Sequence, residues 1–379
     1  MNRRKFILGT LATLGLAGVG GMYFVNRPEF GRVPAGNRLD RIMKSPHYVN
    51  GRFQNLSPVS IMTDEHRENR FIATLKFVFG DKTNLSPSKP MISTKTDLHA
   101  LNRRQDVAVW MGHSTYYLQI NGWRILIDPV FSAYASPLSF VNKAFPGSNI
   151  YNADDIPSLD VLAITHDHWD HLDYPTIMSL KDKIKTIVCP LGVGEFFEEW
   201  GFDADILREE DWFTEVTITD KDKSDDLRVN FLPSQHFSGR FIISNPTQWC
   251  GYAFITDDKK IYCSGDGGYG EHFKTIGEKF HGFDFAIMEN GQYNMAWHNI
   301  HMLPQETAQA AADIGAKYVM PSHNGKFALS RHPWQEPYEE LTKASLEKPY
   351  RLLTPRIGEA VSLTKDTKQE FVPWWRDMN

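Results

Sequence analysis

A run of metal-ligand side chains, H-x-H-x-D-H at residues 166–171, constrains this chain more than any other feature. It follows the apolar residues 159–164, which predict a buried strand. Pro175 and the periodic stretch behind it predict the start of a helix. A helix would distribute these side chains around its axis, whereas a tight loop at a strand end can turn them toward one point. The pattern therefore predicts a metal-binding loop.

The spacing within this loop favours two metal ions over one. His166 and His168 alternate and can face one ion, while Asp170 and His171 continue around the turn and can face a second. Imidazole and carboxylate ligands suit zinc, with iron, manganese and nickel as alternatives. Such a centre needs further ligands from elsewhere in the chain, including a carboxylate able to bridge the ions.

Three candidates for those further ligands follow predicted strands. His236 comes after residues 227–232, Asp266 after residues 260–263, and His323 after residues 316–320. Active-site loops of layered α/β folds gather at the ends of strands. A single histidine or aspartate in such a place is more often a turn or cap residue. The combination with residues 166–171 favours a metal site over a solvated polar loop.

Taken together, these motifs resemble the metallo-β-lactamase fold, an α/β architecture in which an αββα sandwich holds the metals at one edge. The flanking segments resemble the N-acylphosphatidylethanolamine-hydrolysing phospholipase D group of that fold. The resemblance covers roughly residues 107–361. The matching parts are residues 110–115, 126–137, 165–174, 233–236, 265–269 and 322–329, together with His301, Pro304 and Glu306.

The resemblance implies a complete set of metal ligands and the cofactors that they hold. His166, His168 and His236 would hold one ion, Asp170, His171 and His323 would hold the other, and Asp266 would bridge both. The implied cofactors are two divalent metal ions, with Zn²⁺ as the expected metal. Asp128 would hold a ligand histidine in one tautomer, and the alternative for Asp128 is a turn residue beside Pro129.

The implied activity is that of a metal-dependent hydrolase, a phosphodiesterase of the phospholipase D type. Its substrate would be an N-acylphosphatidylethanolamine-like lipid, and two divalent ions would make hydroxide available by lowering the pKa of a shared water. The catalytic residues would be Asp170 and Asp266, which orient the nucleophile, and His301, which assists the leaving alkoxide. For His301 the alternative role is an N-terminal helix cap.

The metal motif leaves other functions open. Lactonases and other carbon-centred hydrolases of the same fold carry similar ligands, and a β-lactamase is a further member of this class. A non-catalytic metal-binding envelope protein is the alternative outside enzymes. The net charge of −5 and the lack of a basic stripe argue against a nucleic-acid partner.

The N-terminus predicts a signal or membrane anchor at residues 1–27. Arg3, Arg4 and Lys5 precede an uncharged run at residues 6–26, which is about long enough to cross a bilayer. The paired arginines resemble a twin-arginine export signal, and an ordinary anchor is the alternative. Since no clear A-x-A cleavage site follows, an uncleaved anchor is favoured over a released protein. The basic cluster should stay in the cytoplasm, which places the catalytic domain on the periplasmic side of the inner membrane.

The remaining sequence predicts one large catalytic domain. A chain of 379 residues with 41% hydrophobic residues can bury a sizeable core. Residues 28–105 are predicted as a linker and N-terminal extension, residues 106–365 as the hydrolase domain, and residues 366–379 as a C-terminal tail. Three separated cysteines make neither a disulfide framework nor a C-x-x-C zinc site. The oligomeric state is left open, with a homodimer among the alternatives.

Overall fold

The computed structural model describes residue 24 and residues 26–63, 83–240 and 243–378. The predicted anchor at residues 1–27 lies almost entirely outside these residues. Among the helices of the described ranges, none is both long enough and apolar enough to cross a membrane.

Two seven-stranded sheets and a short hairpin make up the strands of the described chain. The strands are β1 (Tyr48–Val49), β2 (Arg52–Phe53), β3 (Val107–Trp110), β4 (Tyr116–Ile120), β5 (Trp123–Ile127), β6 (Leu159–Ala163), β7 (Ile184–Pro190), β8 (Leu207–Glu210), β9 (Glu215–Ile218), β10 (Leu227–Leu232), β11 (Gly251–Ile255), β12 (Lys260–Cys263), β13 (Phe283–Glu289), β14 (Ala316–Ser322), β15 (Arg351–Leu352) and β16 (Ala360–Ser362). The α-helices are α1 (Gly36–Ile42), α2 (Tyr174–Leu180), α3 (Gly194–Glu199), α4 (His272–Phe280), α5 (Pro304–Asp313) and α6 (Glu336–Ala344). Short 3₁₀ helices lie at Pro28–Phe30, Ala153–Asp155, Lys181–Lys183, Ala204–Ile206 and Trp374–Met378.

The two sheets have matching topologies. The first has the strand order β16-β3-β4-β5-β6-β7-β8, and the second has the order β15-β14-β13-β12-β11-β10-β9. In each sheet an antiparallel part is followed by a parallel part, which runs from β5 to β8 in the first and from β12 to β15 in the second. Because parallel strands end at the same edge, the loops after them are brought together there.

The hydrophobic core divides into layers that define the architecture. Between the sheets, side chains of both pack together, among them Trp110 and Tyr252. On the outer face of the first sheet, Ile177 of α2 is buried against β6 and β7. On the outer face of the second, Ile276 of α4 and Ala310 of α5 are buried in the same way. The predicted αββα sandwich is therefore the architecture of the described chain.

The parts outside the predicted hydrolase domain also pack on it. In the extension, Arg38 of α1 is largely buried, and its Nε donates to Glu209 at the end of β8 at 3.0 Å. At the C-terminus, where a tail is predicted, Trp374 and Trp375 are buried in the core between the sheets. The indole of Trp374 donates to the carbonyl of Thr354 at 3.1 Å. These contacts tie both ends of the described chain to the sandwich, and the predicted domain boundaries remain predictions.

Candidate metal centre

The loop at residues 166–171 follows β6 after residues 164 and 165, and it ends just before α2. The backbone nitrogen of His171 donates to the carbonyl of His168 at 3.1 Å, which folds the loop into a tight turn. Pro175 stands in the first turn of α2, where its missing N–H is not needed. The loop therefore has the strand–turn–helix setting that its sequence predicts, and its imidazoles converge.

The first group of converging side chains consists of three histidines from two loops. His168 Nδ1 lies 2.9 Å from His166 Nε2 and 3.2 Å from His236 Nε2. His236 comes after Ser234 and Gln235 on the loop that follows β10, so this histidine is supplied by the second sheet. All three donor atoms lie within 4.8 Å of one another, which is a spacing that a single ion can bridge.

The second group contains the other three predicted ligands. His171 Nε2 lies 3.4 Å from Asp170 Oδ2. His323, at the end of β14, joins them with donor atoms inside the same 4.8 Å limit. This group also includes His113, which is not among the predicted ligands.

Asp266 lies between the two groups. Its Oδ2 is 3.0 Å from His171 Nε2 and 3.2 Å from His323 Nε2. The same oxygen is 3.8 Å from His166 Nε2 and 3.9 Å from His236 Nε2. Its Oδ1 is buried and has no hydrogen-bond partner within the described chain. A buried carboxylate with this double access and an unsatisfied oxygen suits a bridging ligand between two cations.

Burial shifts the pKa values of most of the cluster, whereas the carboxylates of Asp266, Asp170 and Asp128 outweigh burial at His171 and raise its pKa well above the usual range. Burial raises the pKa of Asp266 to about 6 and lowers the pKa of His168 to about 4. It also lowers the pKa values of His166, His236 and His323 well below the usual range. A histidine must be neutral to bind a metal, so these imidazoles are in the ligand form at neutral pH.

Most of the predicted ligands also contact a residue that is not itself a predicted ligand. Asp128 Oδ2 lies 2.7 Å from His171 Nδ1, and its Oδ1 accepts from the backbone nitrogen of Thr165 at 2.8 Å. His236 Nδ1 lies 3.1 Å from the carbonyl of Ile300. Such contacts fix the tautomer and the ring orientation of metal-binding histidines. Asp128 therefore lies where the resemblance implies, rather than serving only as a turn residue.

The family follows from this geometry together with comparison to known proteins. The family model described as "Beta-lactamase superfamily domain" matches residues 123–324, which is more than half of the chain. The chain belongs to the beta-lactamase superfamily. The predicted α/β sandwich of the metallo-β-lactamase type is thereby confirmed.

The chain is also similar to individual proteins. An uncharacterized protein of Mycobacterium tuberculosis is 34% identical over 337 residues, covering 88% of each chain. The N-acyl-phosphatidylethanolamine-hydrolyzing phospholipase D 1 of Caenorhabditis elegans is 29% identical, covering 69% of this chain and 75% of its own. Igni18, a metallo hydrolase of Ignicoccus hospitalis, has a TM-score of 0.50 and 20% identity, covering 68% of this chain and 98% of its own, and shows the same fold. The predicted resemblance to the phospholipase D group is confirmed.

In the present chain, His301 lies beside the two ligand groups. Its ring stacks on that of His323 with centroids 5.2 Å apart, and it meets His236 edge-on at 5.0 Å. Its Nδ1 hydrogen-bonds the carboxylate of Glu289, the buried last residue of β13. Helix α5 begins at Pro304 with Leu303 at the N-cap, so His301 is not the cap residue.

Sequence reasoning gave no role to four residues that support the centre. Glu289 could have been noticed, because it is a carboxylate at a strand end like the predicted ligands. His113 lies in a segment that matches the phospholipase group. Asn55 exchanges two hydrogen bonds with the main chain of His236, at 2.9 and 3.0 Å. No sequence motif indicates the role of Asn55 or of Arg240, because each contacts residues that are distant from it in the sequence.

Arg240 ties the metal loop at both ends. Its guanidinium donates to the carbonyls of Asp167 and Leu172, and to the carbonyl of Glu29 in the extension. It also lies over the ring of Trp169 at 4.4 Å. Burial lowers the pKa of Arg240 to about 10, so the group remains charged at neutral pH. One side chain thus bonds the loop between its first and second predicted ligands, and again just after the fourth.

Replacing Arg240 with methionine should lower the free energy of unfolding by about 3 kcal/mol, because three charge-assisted hydrogen bonds are lost and buried carbonyls are left unpaired. Urea denaturation followed by circular dichroism measures this. Arg32→Met is the matched control, because the Arg32 side chain is 67% exposed in its pair with Glu199, and its loss should change stability by less than about 1 kcal/mol. Equal effects of the two substitutions would show that Arg240 does not stabilise the loop.

Proposed function

We propose that this protein is a metal-dependent phosphodiesterase of the phospholipase D type that hydrolyses N-acylphosphatidylethanolamine-like lipids. The observation that carries the proposal is Asp266 Oδ2, which lies between two groups of ligand side chains and 3.0–3.9 Å from four imidazole nitrogens. The similarity of the chain to the phospholipase D of Caenorhabditis elegans supports a lipid substrate.

The donor set suits two divalent ions, with zinc as the expected metal. His166, His168 and His236 would hold one ion, Asp170, His171 and His323 would hold the other, and Asp266 would bridge them. Bound ions would supply a nucleophile at neutral pH and would neutralise charge on a phosphoryl oxygen. Nitrogen and carboxylate donors are the ligands that zinc takes in catalytic sites.

The chain's own residues would orient and protonate the reactants. Asp170 and Asp266 offer carboxylate oxygens at the centre, where they can accept a hydrogen bond from the attacking water. His301 would donate a proton from Nε2 in its imidazolium form, in which Nδ1–H is held by the carboxylate of Glu289. A lipid alkoxide is a poor leaving group, so a proton donor at this position would assist its departure.

The substrate class is tested by an activity panel on the metal-loaded protein. We expect faster turnover of N-acylphosphatidylethanolamine and bis-p-nitrophenyl phosphate than of lactones or nitrocefin, because two ions can hold a phosphate oxygen and the nucleophile together. A lactone hydrolysed faster than any phosphodiester would assign the protein to carbon-centred hydrolysis. No turnover of any substrate by a protein with a full metal complement would favour the non-catalytic alternative.

We further propose that residues 1–27 anchor the hydrolase domain, residues 106–365, on the periplasmic side of the inner membrane. The support is the cluster of Arg3, Arg4 and Lys5 before an uncharged run. Alkaline phosphatase fused to the C-terminus should be active. A fluorescent protein fused at the same place would contradict this topology if it fluoresced in the cytoplasm. Arg3→Lys combined with Arg4→Lys should block export only if the twin-arginine route is used.

A further inference from the structure

The turn between β3 and β4, residues 112–115, joins two strands of the first sheet at the metal edge. Gly112 and His113 both adopt positive φ, 88° and 55°, and the backbone nitrogen of Thr115 donates to the carbonyl of Gly112 at 3.2 Å. A positive φ is uncommon for a residue other than glycine, and residues with this backbone conformation concentrate at functional sites. The conformation of this turn is therefore itself unusual.

The main chain of this turn is paired with the turn that carries His323. His113 N donates to the carbonyl of Asn324 at 2.9 Å, and His323 N donates to the carbonyl of His113 at 3.1 Å. His323 also has a positive φ, 64°. Two turns from different sheets thus fix each other's backbone beside the second ligand group.

The side chains of the turn contact two of the predicted metal ligands. His113 Nε2 lies 2.7 Å from Asp170 Oδ2, and Ser114 Oγ lies 3.0 Å from His323 Nδ1. Both His113 and Ser114 are buried. His113 Nδ1 has no partner within the described residues. A proton on Nε2, shared with Asp170, therefore avoids a buried N–H without an acceptor. His113 is then a hydrogen-bond donor to the ligand rather than a ligand itself.

The first ligand group is supported by other parts of the chain. His166 Nδ1 lies 3.0 Å from Thr165 Oγ1, and His236 Nδ1 lies 3.1 Å from the carbonyl of Ile300. The main chain of His236 is held by Asn55 of the extension. His113 and Ser114 thus contact ligands of the second group, whereas Thr165 contacts His166 of the first group and His171 of the second.

We propose that His113 and Ser114 are positioning residues that set the affinity of the metal position formed by Asp170, His171 and His323, independently of the other position. The inference rests on the proposed dinuclear function. His113 would hold Asp170 with one oxygen toward the ion, and Ser114 would hold His323 with Nε2 toward the ion. Loss of a supporting contact of this kind typically weakens metal affinity by roughly 10- to 100-fold.

The test compares His113→Ala, His113→Gln and Ser114→Ala with the wild-type protein. Zinc dissociation constants are measured by chelator competition, and the visible spectrum of the cobalt-substituted protein reports on the ligands. His113→Ala and Ser114→Ala should each weaken the zinc affinity of the position formed by Asp170, His171 and His323 by roughly 10- to 100-fold. The affinity of the other position should stay unchanged. The glutamine amide can still donate to Asp170, so His113→Gln should recover most of the affinity. Alanine and glutamine share the same backbone strain at this position, so their difference reports on the side chain.

Asn55→Ala is the matched control for the other metal position. It should weaken the ion held by His236 and spare the second ion. The inference is overturned if His113→Ala retains wild-type affinity for both ions, if it weakens both equally, or if His113→Gln is no better than His113→Ala. A wild-type protein that binds only one ion would contradict the dinuclear function itself, and this is seen before any variant is compared. Thermal melts of the metal-free proteins show whether each variant is folded.

Discussion

Replacing Asp266 with alanine should remove both metal ions and lower hydrolysis by at least ~100-fold, because the nucleophile is expected to depend on both ions. Asp266 Oδ2 lies 3.0 Å from His171 Nε2 in one ligand group and 3.8 Å from His166 Nε2 in the other. A change at a shared oxygen should therefore act on both positions. Elemental analysis of the purified variant, together with the rate on bis-p-nitrophenyl phosphate, measures the effect.

His236→Ala provides the comparison for this prediction. His236 belongs to the group of His166 and His168, and its nearest approach to Asp266 Oδ2 is the longer distance of 3.9 Å. Its loss should mainly weaken one ion while the other remains bound. If Asp266→Ala kept a full metal complement, or lost only the ion that His236→Ala loses, a bridging role for Asp266 would be excluded.

Replacing His301 with alanine should slow the hydrolysis of a lipid phosphodiester by roughly 10²- to 10⁴-fold, the range typical of a lost proton donor. The effect on bis-p-nitrophenyl phosphate should be much smaller, because p-nitrophenolate leaves without a proton. The geometry behind this expectation is the stack of His301 on His323 and its hydrogen bond to Glu289. The measurement is the ratio of the two rates in the variant and in the wild type.

Glu289→Gln is the companion variant, since it changes the group that holds His301 Nδ1. It should reproduce the selective loss on the lipid substrate to a smaller extent while both ions remain bound. Equal losses on both substrates in His301→Ala would assign His301 to structure or metal support instead of proton transfer.

The sequence predicted the parts of the site that depend on local pattern. Strands β10 and β12 have the bounds predicted for them, and the predicted ligands His236 and Asp266 follow those strands. Residues 166–171 lie on a loop between a strand and a helix, as their spacing predicts. Since parallel strands end at one edge, a strand-end position is enough to predict that such side chains converge.

The supports of the centre were beyond sequence reasoning because they join distant segments. Asn55 meets His236 across 181 positions, and His113 meets Asp170 across 57. Neither Asn55 nor Arg240 belongs to a motif. Their roles depend on the folded arrangement of loops, which hydrophobic periodicity does not specify. The burial of Trp374 and Trp375 in the core is likewise a tertiary feature, in a segment whose sequence predicts a tail.

The dinuclear centre is tested most directly by a zinc titration of the metal-free protein during hydrolysis of N-acylphosphatidylethanolamine. Because Asp266 lies between the two ligand groups, we expect little activity with one equivalent of zinc and a rise to a plateau at two equivalents per chain. A plateau at one equivalent would contradict the dinuclear centre, and so would full activity in the presence of a strong chelator.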